Sequence, residues 1–143
     1  MILSDAQPLR QTTLRISQIA NMKLHLNTTQ GQNAITEHGD GYVTVNHQQI
    51  DHALIVLPDK LVNPWNIGDF ASLAVVDFAV LIELRPELVV FGAGKVFRFP
   101  DVAIMAAFSK AGIGFEVMDT PAACRTYNVL ISEGRYAAAA LLT

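Results

Sequence analysis

The last third of the chain alternates short apolar runs with amphipathic stretches, and this alternation restricts the fold more than any other feature. Apolar runs at residues 87–91, 113–118 and 136–142 have the length of buried strands. Residues 101–111 and 120–133 instead place apolar side chains three and four positions apart, as helices do. Strands that alternate with helices form βαβ units, whose crossovers are right-handed in nearly all known cases. The pattern therefore predicts parallel strands in this part of the chain.

The first half of the chain indicates antiparallel strands. Residues 34–37 and 42–46 flank a glycine-containing link, which predicts a hairpin. Residues 53–57 (ALIVL) form a continuous apolar run before Pro58, as in a strand that is covered on both faces. Four further predictions follow from composition and spacing: a strand at 22–26, a turn at 47–49, a long connection at 58–71 and a helix at 74–84.

These segments predict one compact α/β domain. It has a central mixed β-sheet with βαβ units in the C-terminal half, flanking helices and an N-terminal antiparallel hairpin layer. We expect the domain to span residues 22–143, with residues 1–21 as an N-terminal extension. A chain of 143 residues with 51% hydrophobic residues can bury such a core without a metal or disulfide.

Charge and cysteine content argue against several classes of protein. The net charge is −3 and Lys and Arg form no cluster, so nucleic-acid binding has little electrostatic support. Cys124 is the only cysteine and the four histidines lack ligand spacing, so we expect no disulfide, metal or other cofactor. No apolar run approaches the roughly 20 residues that cross a bilayer. We expect a cytoplasmic protein with no signal peptide and no membrane insertion.

The best candidate for a ligand site is the place where two predicted strands end. In open α/β sheets, ligands bind beyond the carboxyl ends of the strands, and parallel strands bring these ends to one edge. Pro121 suits the first position of the second helix, whose free amide hydrogens would attract an anion. The candidate crevice residues are Gly92, Gly94, Asp119, Thr120, Cys124, Arg125 and Asn128. We identify no catalytic residue.

Structural interpretations of the same residues stay open. The two glycines can serve only to turn the chain, because Phe97 stands where a dinucleotide-binding fingerprint has its third glycine. Asp119 or Thr120 can cap the helix, and Cys124 can be a packed, unreactive thiol. Asn128 can bond a loop carbonyl, and Arg125 can pair with Asp119 or Glu133. Trp65 is either a core anchor, which we favour, or an exposed interaction residue.

The run GIGFEVMDTPAACRTYNVLISEGR at residues 112–135 resembles the Mth938-like family, a domain of unknown function. Earlier pieces fit in order, among them Gly41-Tyr42, Leu57-Pro58-Asp59, Trp65 and residues 84–87. The resemblance covers about residues 22–142. The family usually has Gly-Thr-Gly where this chain has Gly92-Ala93-Gly94, and commonly Ala where it has Pro121.

The resemblance implies an α/β fold with a mixed sheet and no established catalytic activity. Its mitochondrial relative, respiratory complex I assembly factor 3, binds partner proteins during assembly of a membrane complex. We therefore expect a non-catalytic binding or assembly-factor-like protein that acts through protein partners, with an exposed apolar patch near Trp65 and residues 74–84. Enzymatic activity and homo-oligomerisation stay open. The alternatives are a small-anion or nucleotide-like ligand binder or enzyme using the crevice, and thiol-redox chemistry at Cys124, which requires a lowered thiol pKa.

Overall fold

The computed structural model describes residues 31–143, so the predicted strand at 22–26 and the predicted extension at 1–21 lie outside the described residues. Residues 33–131 and 135–143 form one compact unit. Its elements are β1 (Ile35–Gly39), β2 (Tyr42–Val45), β3 (Gln48–Ile50), β4 (Leu54–Leu57), β5 (Lys60–Val62), α1 (Ala79–Leu84), β6 (Leu88–Gly92), α2 (Val102–Ala111), β7 (Gly114–Met118), α3 (Thr120–Ser132) and β8 (Ala137–Leu141). Two 3-10 turns, Phe70–Ser72 and Val75–Phe78, precede α1.

The described strands form a mixed five-stranded sheet with the order β5-β4-β8-β6-β7. β6 is parallel to both of its neighbours, β7 and β8, while β8 is antiparallel to β4. The segments β6-α2-β7 and β7-α3-β8 are therefore the crossovers that the sequence pattern predicts. The mixed sheet, the βαβ units and the flanking helices are confirmed.

Both faces of this sheet are buried, because its strands carry apolar side chains at successive positions. Along β8, Ala137, Ala139 and Leu141 pack on the side of α3 and the hairpin strands. The alternate residues Ala138 and Ala140 pack on the opposite side, with α1 and α2. The sheet thus separates two apolar clusters.

The predicted hairpin layer is also confirmed. β1, β2 and β3 form a three-stranded antiparallel sheet, in which His38 pairs with Val43 and Val43 pairs with Ile50. Val43 and Val45 face the cluster that contains α3, and both are fully or almost fully buried. The layer therefore covers one face of the larger sheet.

The predicted helix at 74–84 is partly wrong. The 3-10 turn Val75–Phe78 comes first, and the α-helix begins only at Ala79. The carbonyl of Asp77 accepts a hydrogen bond from the indole nitrogen of Trp65 at 2.9 Å, and its carboxylate accepts one from the Ala74 amide at 2.9 Å. These tertiary and capping bonds compete with the regular helical pattern at this point.

Two connections also contain strands that the sequence pattern does not reveal. The predicted turn at 47–49 lies one residue earlier, at Asn46 and His47, whose φ values are 50° and 70°. Gln48 and Gln49 belong to β3. The long connection at 58–71 contains β5, which pairs with β4. Both strands have only three residues, too few for a periodic signal.

Candidate functional site

The two strand ends predicted to form a crevice lie side by side, as parallel pairing of β6 and β7 requires. Gly92 pairs with Met118 at the last position of the register. Beyond it, the Ala93 amide donates to the Met118 carbonyl at 2.8 Å. The Thr120 amide then donates to the Gly94 carbonyl at 2.8 Å. The two loops are therefore joined directly by backbone hydrogen bonds.

The hydroxyl of Thr120 completes this junction. It accepts a hydrogen bond from the Gly94 amide at 2.9 Å and donates one to the Leu142 carbonyl at 2.6 Å. Thr120 is only 7% exposed. A Cβ atom at Gly92 would lie 2.9 Å from this hydroxyl, so the missing side chain lets the helix start approach the strand. These four residues join three chain segments in a buried seam.

The start of α3 is capped from within the chain. The Asp119 carboxylate accepts a hydrogen bond from the Ala122 amide at 2.8 Å, and the Asp119 carbonyl accepts one from the Ala123 amide at 3.0 Å. Capping by Asp119 is one of the two capping arrangements expected from the sequence. Both amides are occupied and are not free to bind an anion.

Cys124 is a buried thiol. It is 1% exposed, and burial raises its pKa from 9.0 to about 12, with nearby Arg125 lowering it slightly. The thiol is therefore protonated at neutral pH, when it is a poor nucleophile. Redox chemistry needs a lowered pKa, so the structure argues against it and agrees with a packed cysteine.

Three of the predicted site residues line a pocket of about 340 Å³ between α3 and β1. Cys124, Arg125 and Asn128 form one wall, and residues 35–38 form the other. The Asn128 side chain donates to the Ile35 carbonyl at 2.7 Å and accepts from the Ile35 amide at 3.0 Å. Arg125 is exposed and makes no ion pair with any of the described residues. Of the seven predicted residues, three thus line this pocket, three lie in the seam and Asp119 caps α3. Ligand binding by them stays a prediction.

The exposed apolar residues that sequence reasoning overlooks lie between β6 and α2. Residues 95–99 (KVFRF, hereafter the KVFRF segment) are all exposed. Val96 is 67% exposed, Phe97 49% and Phe99 64%. The two phenylalanine rings contact each other edge to face, with centroids 4.8 Å apart. The sequence carries one signal for this surface, three apolar side chains within five consecutive residues that lack the pattern of a strand or helix.

The two basic residues of the KVFRF segment attach it to the protein. The Arg98 guanidinium stacks over the Phe70 ring at 4.0 Å and donates to the Ala93 carbonyl at 3.0 Å. The Lys95 ammonium lies 3.0 Å from the Asp40 carboxylate in the β1–β2 turn. The Arg98 contacts fix the backbone between the two phenylalanines, and Lys95 adds a weaker surface pair.

Trp65 is the core anchor that the sequence analysis favours. It is 5% exposed and packs edge to face on Phe78, with ring centroids 5.2 Å apart. The expected exposed patch is therefore not centred on Trp65. Val75 and Val76, at the predicted helix, are exposed, as are the apolar residues of the KVFRF segment.

A protein-family model described as "Protein of unknown function (DUF498/DUF598)" matches residues 35–142. The match covers every described strand and helix. The chain belongs to this family. The solved structure of a Mth938-like domain from Bordetella pertussis is 29% identical to it in sequence, with a TM-score of 0.67. The aligned part covers 79% of this chain and 87% of that one. The resemblance to the Mth938-like family is therefore confirmed.

Curated relatives of this Mth938-like chain have two kinds of name. The bovine protein "NADH dehydrogenase [ubiquinone] 1 alpha subcomplex assembly factor 3" is 36% identical over 104 residues, which are 71% of this chain. The match spans only 55% of the bovine protein, so the chain corresponds to about half of that relative. A "13 kDa major membrane protein" of Francisella tularensis is 27% identical over 69% of this chain and 81% of its own length.

Residues 31–143 contain no helix that is long and apolar enough to cross a membrane.

Proposed function

We propose that this Mth938-like protein is a non-catalytic binding protein that acts through protein partners, in the manner of an assembly factor. The observation that carries the proposal is the pair Phe97 and Phe99, which a folded and well-packed chain exposes side by side. The name of the bovine relative supports the same function, although the match covers only part of that protein.

The exposed rings of the KVFRF segment suit a protein interface in residue type and in rigidity. Aromatic residues with an arginine between them are the residue types that dominate the energy of protein interfaces. Ordering a mobile loop on binding reduces affinity, but Arg98 already holds the KVFRF segment against Phe70 and Ala93. The exposed rings therefore form a surface that is ready to dock without prior rearrangement.

Replacement of both rings tests this proposal. We expect the double variant Phe97→Ser/Phe99→Ser to fold normally, because both side chains are largely exposed. Loss of one hot-spot aromatic costs about 2 kcal/mol or more, roughly thirty-fold in affinity. Affinity purification of the tagged chain from native cells, followed by mass spectrometry, should therefore recover partner proteins with the wild type and not with the variant.

A matched control distinguishes this surface from general stickiness. Val129 on α3 is 54% exposed and lies far along the chain from the KVFRF segment. Val129→Ser should retain the same partners as the wild type. Equal recovery by the double variant and the wild type, or recovery of nothing by either, would contradict the proposal.

A second candidate function is binding of a small anionic ligand in the pocket between α3 and β1. The pocket favours it because it joins Cys124, Arg125 and Asn128 in a space of about 340 Å³, with the guanidinium of Arg125 as the cation. The seam around Thr120, together with the cap Asp119, would support this wall of the pocket through the start of α3.

Thermal-shift measurements with inorganic phosphate, nucleotides and carboxylates test this candidate. A ligand present at 100 times its Kd should stabilise the fold by about 2.7 kcal/mol. We expect Arg125→Ala to abolish that stabilisation, while the exposed Arg135→Ala serves as the control. Absence of any shift in the wild type would leave only the partner-binding function.

We also propose that the protein acts in the cytoplasm. The free, reduced Cys124 fits a reducing compartment. Fractionation of cells that express the tagged chain checks this location. Recovery in the membrane fraction after a high-salt wash would contradict it and would favour the location that the name of the Francisella relative suggests.

A further inference from the structure

We propose that the outer edge of β7, together with the groove beside it, binds an extended segment of a partner protein as an added strand. The inference rests on the proposed partner-binding function and names the class of segment that is bound. Strand addition at an exposed sheet edge obtains affinity from main-chain hydrogen bonds and specificity from pockets for alternate side chains.

β7 presents unpaired backbone groups in an ordered row. It is the last strand of the five-stranded sheet as described for residues 31–143. The Gly114 amide and the Met118 carbonyl both bond towards β6. Because backbone groups alternate in direction along a strand, Phe115 and Val117 direct theirs away from the sheet. Within residues 31–143, these amides and carbonyls have no hydrogen-bond partner, so two residues of an incoming strand can pair there.

A groove of about 500 Å³ lies on the α2 side of this edge. Ile113 and Phe115 line it from the strand side. The α2 residues that line it are Val102, Met105, Ala106 and Ser109, which share one helix face. Successive side chains of an added strand point to opposite faces, so every second residue would enter this groove. The lining is mainly apolar and selects apolar side chains at those positions.

On the other face of the sheet, β7 favours a positively charged residue in the bound segment. Glu116 lies between Phe115 and Val117, points to the other face of the sheet and is exposed. A lysine or arginine beside it would form a cross-strand ion pair. The bound segment therefore carries a basic residue between two apolar residues. Val102 bounds the groove, is 76% exposed and follows the exposed Phe99 by three positions in the chain.

Selection of peptides by the intact 143-residue chain tests the inference. The probe is a phage-displayed library of random nine-residue peptides. We expect enriched sequences to carry a basic residue between two apolar residues. The variant Ala106→Arg fills the groove from an exposed helical position and should weaken the enriched peptides by about ten-fold or more. Ala103→Arg, the same change at an exposed α2 position that does not line the groove, should bind them like the wild type.

Hydrogen exchange locates the bound peptide. Saturation with an enriched peptide should slow exchange of the Phe115 and Val117 amides, while the inward Glu116 amide should change little. Failure to enrich any peptide with this pattern, or binding that leaves both outer amides unchanged, would overturn the inference. A dimer of the free chain that Ala106→Arg dissociates would also overturn it, since a second copy would then occupy the edge. Partner capture that requires Phe97 and Phe99 but tolerates Ala106→Arg would reject this edge and leave the proposed function standing.

Discussion

At the scale of single residues, the side chain of Thr120 is a predicted ligand contact that instead bonds to the backbone of the protein itself. Its hydroxyl meets the Gly94 amide and the Leu142 carbonyl, so it satisfies two backbone groups at a junction of three segments. Buried backbone groups without a partner are costly. That junction accounts for a threonine at this position without any ligand.

Replacement of Thr120 by valine should therefore destabilise the protein. Valine keeps the shape but leaves the Gly94 amide and the Leu142 carbonyl unpaired in a buried site, which we expect to cost about 1–3 kcal/mol or more. Urea unfolding followed by circular dichroism measures the change. Thr120→Ser should retain most of the stability, because it keeps the hydroxyl.

Thr126 provides the control for this change, since it lies on the same helix and is only half-buried. Thr126→Val should change the free energy of unfolding by no more than about 0.5 kcal/mol. If Thr120→Val is as stable as Thr126→Val, the seam does not contribute as described.

At the scale of elements, polar side chains of α3 connect this helix with the start of the hairpin layer. Asn128 bonds both backbone groups of Ile35, which lies 93 positions earlier in the chain. The next residue towards the N-terminus, Tyr127, donates its hydroxyl to the Asn33 carbonyl at 2.8 Å. The start of β1 is thus held by two neighbouring residues of one helix.

We expect Asn128→Ala to loosen β1 more than the rest of the protein. The alanine leaves the Ile35 amide and carbonyl without their partner, at a cost of about 1–3 kcal/mol. Native-state hydrogen exchange should show faster exchange at Ile35 and along β1, with little change in β6 and β8. Uniformly faster exchange in every element would contradict a local connection.

Among the elements, the helix predicted at 74–84 shows that apolar periodicity can place a helix start wrongly. Residues 74–84 have a helical composition, yet the α-helix begins at Ala79 because Trp65 and Ala74 bond to Asp77 ahead of it. Such a bond between positions 65 and 77 is not visible in a local pattern. In contrast, α2 spans Val102–Ala111, within one residue of the helix predicted at 101–111. Its ends depend on neighbours in the sequence, the cap Asp101 before it and Gly112 after it, whose φ is 75°.

At the scale of the whole molecule, the buried protonated groups lower the free energy of unfolding at alkaline pH. Burial raises the pKa of Cys124 from 9.0 to about 12. Burial, and then the charge of Asp59, also raise the pKa of Tyr127 above its ordinary value of 10.0. A raised pKa means that the folded chain keeps protons that the unfolded chain releases. The resulting stability is complete below the unfolded pKa values and is lost as the pH rises through the folded ones.

The free energy of unfolding should therefore decrease from about pH 9 upwards, as the unfolded state begins to ionise. Urea titrations at a series of pH values measure this decrease. Cys124→Ala should reduce its slope, because it removes one of the groups whose pKa differs between the two states. A constant free energy of unfolding between about pH 7 and pH 11 would contradict the described burial of these groups.

The sequence by itself determined the secondary structure that depends on residues close together in the chain. Apolar spacing identified β4, β6, β8, α2 and α3, because secondary structure responds to neighbours within a few positions. It also placed the two strand ends at one edge, since a βαβ connection makes its two strands parallel.

Only the tertiary structure decided which polar groups are free. Whether the Gly94 amide faces a ligand or the Thr120 hydroxyl, and whether Asn128 reaches Ile35, depends on residues that are 26 and 93 positions apart. The same holds for Trp65, which is buried, and for Phe97 and Phe99, which are exposed. Burial and hydrogen bonding are properties of a three-dimensional neighbourhood, and that neighbourhood is assembled from distant parts of the chain.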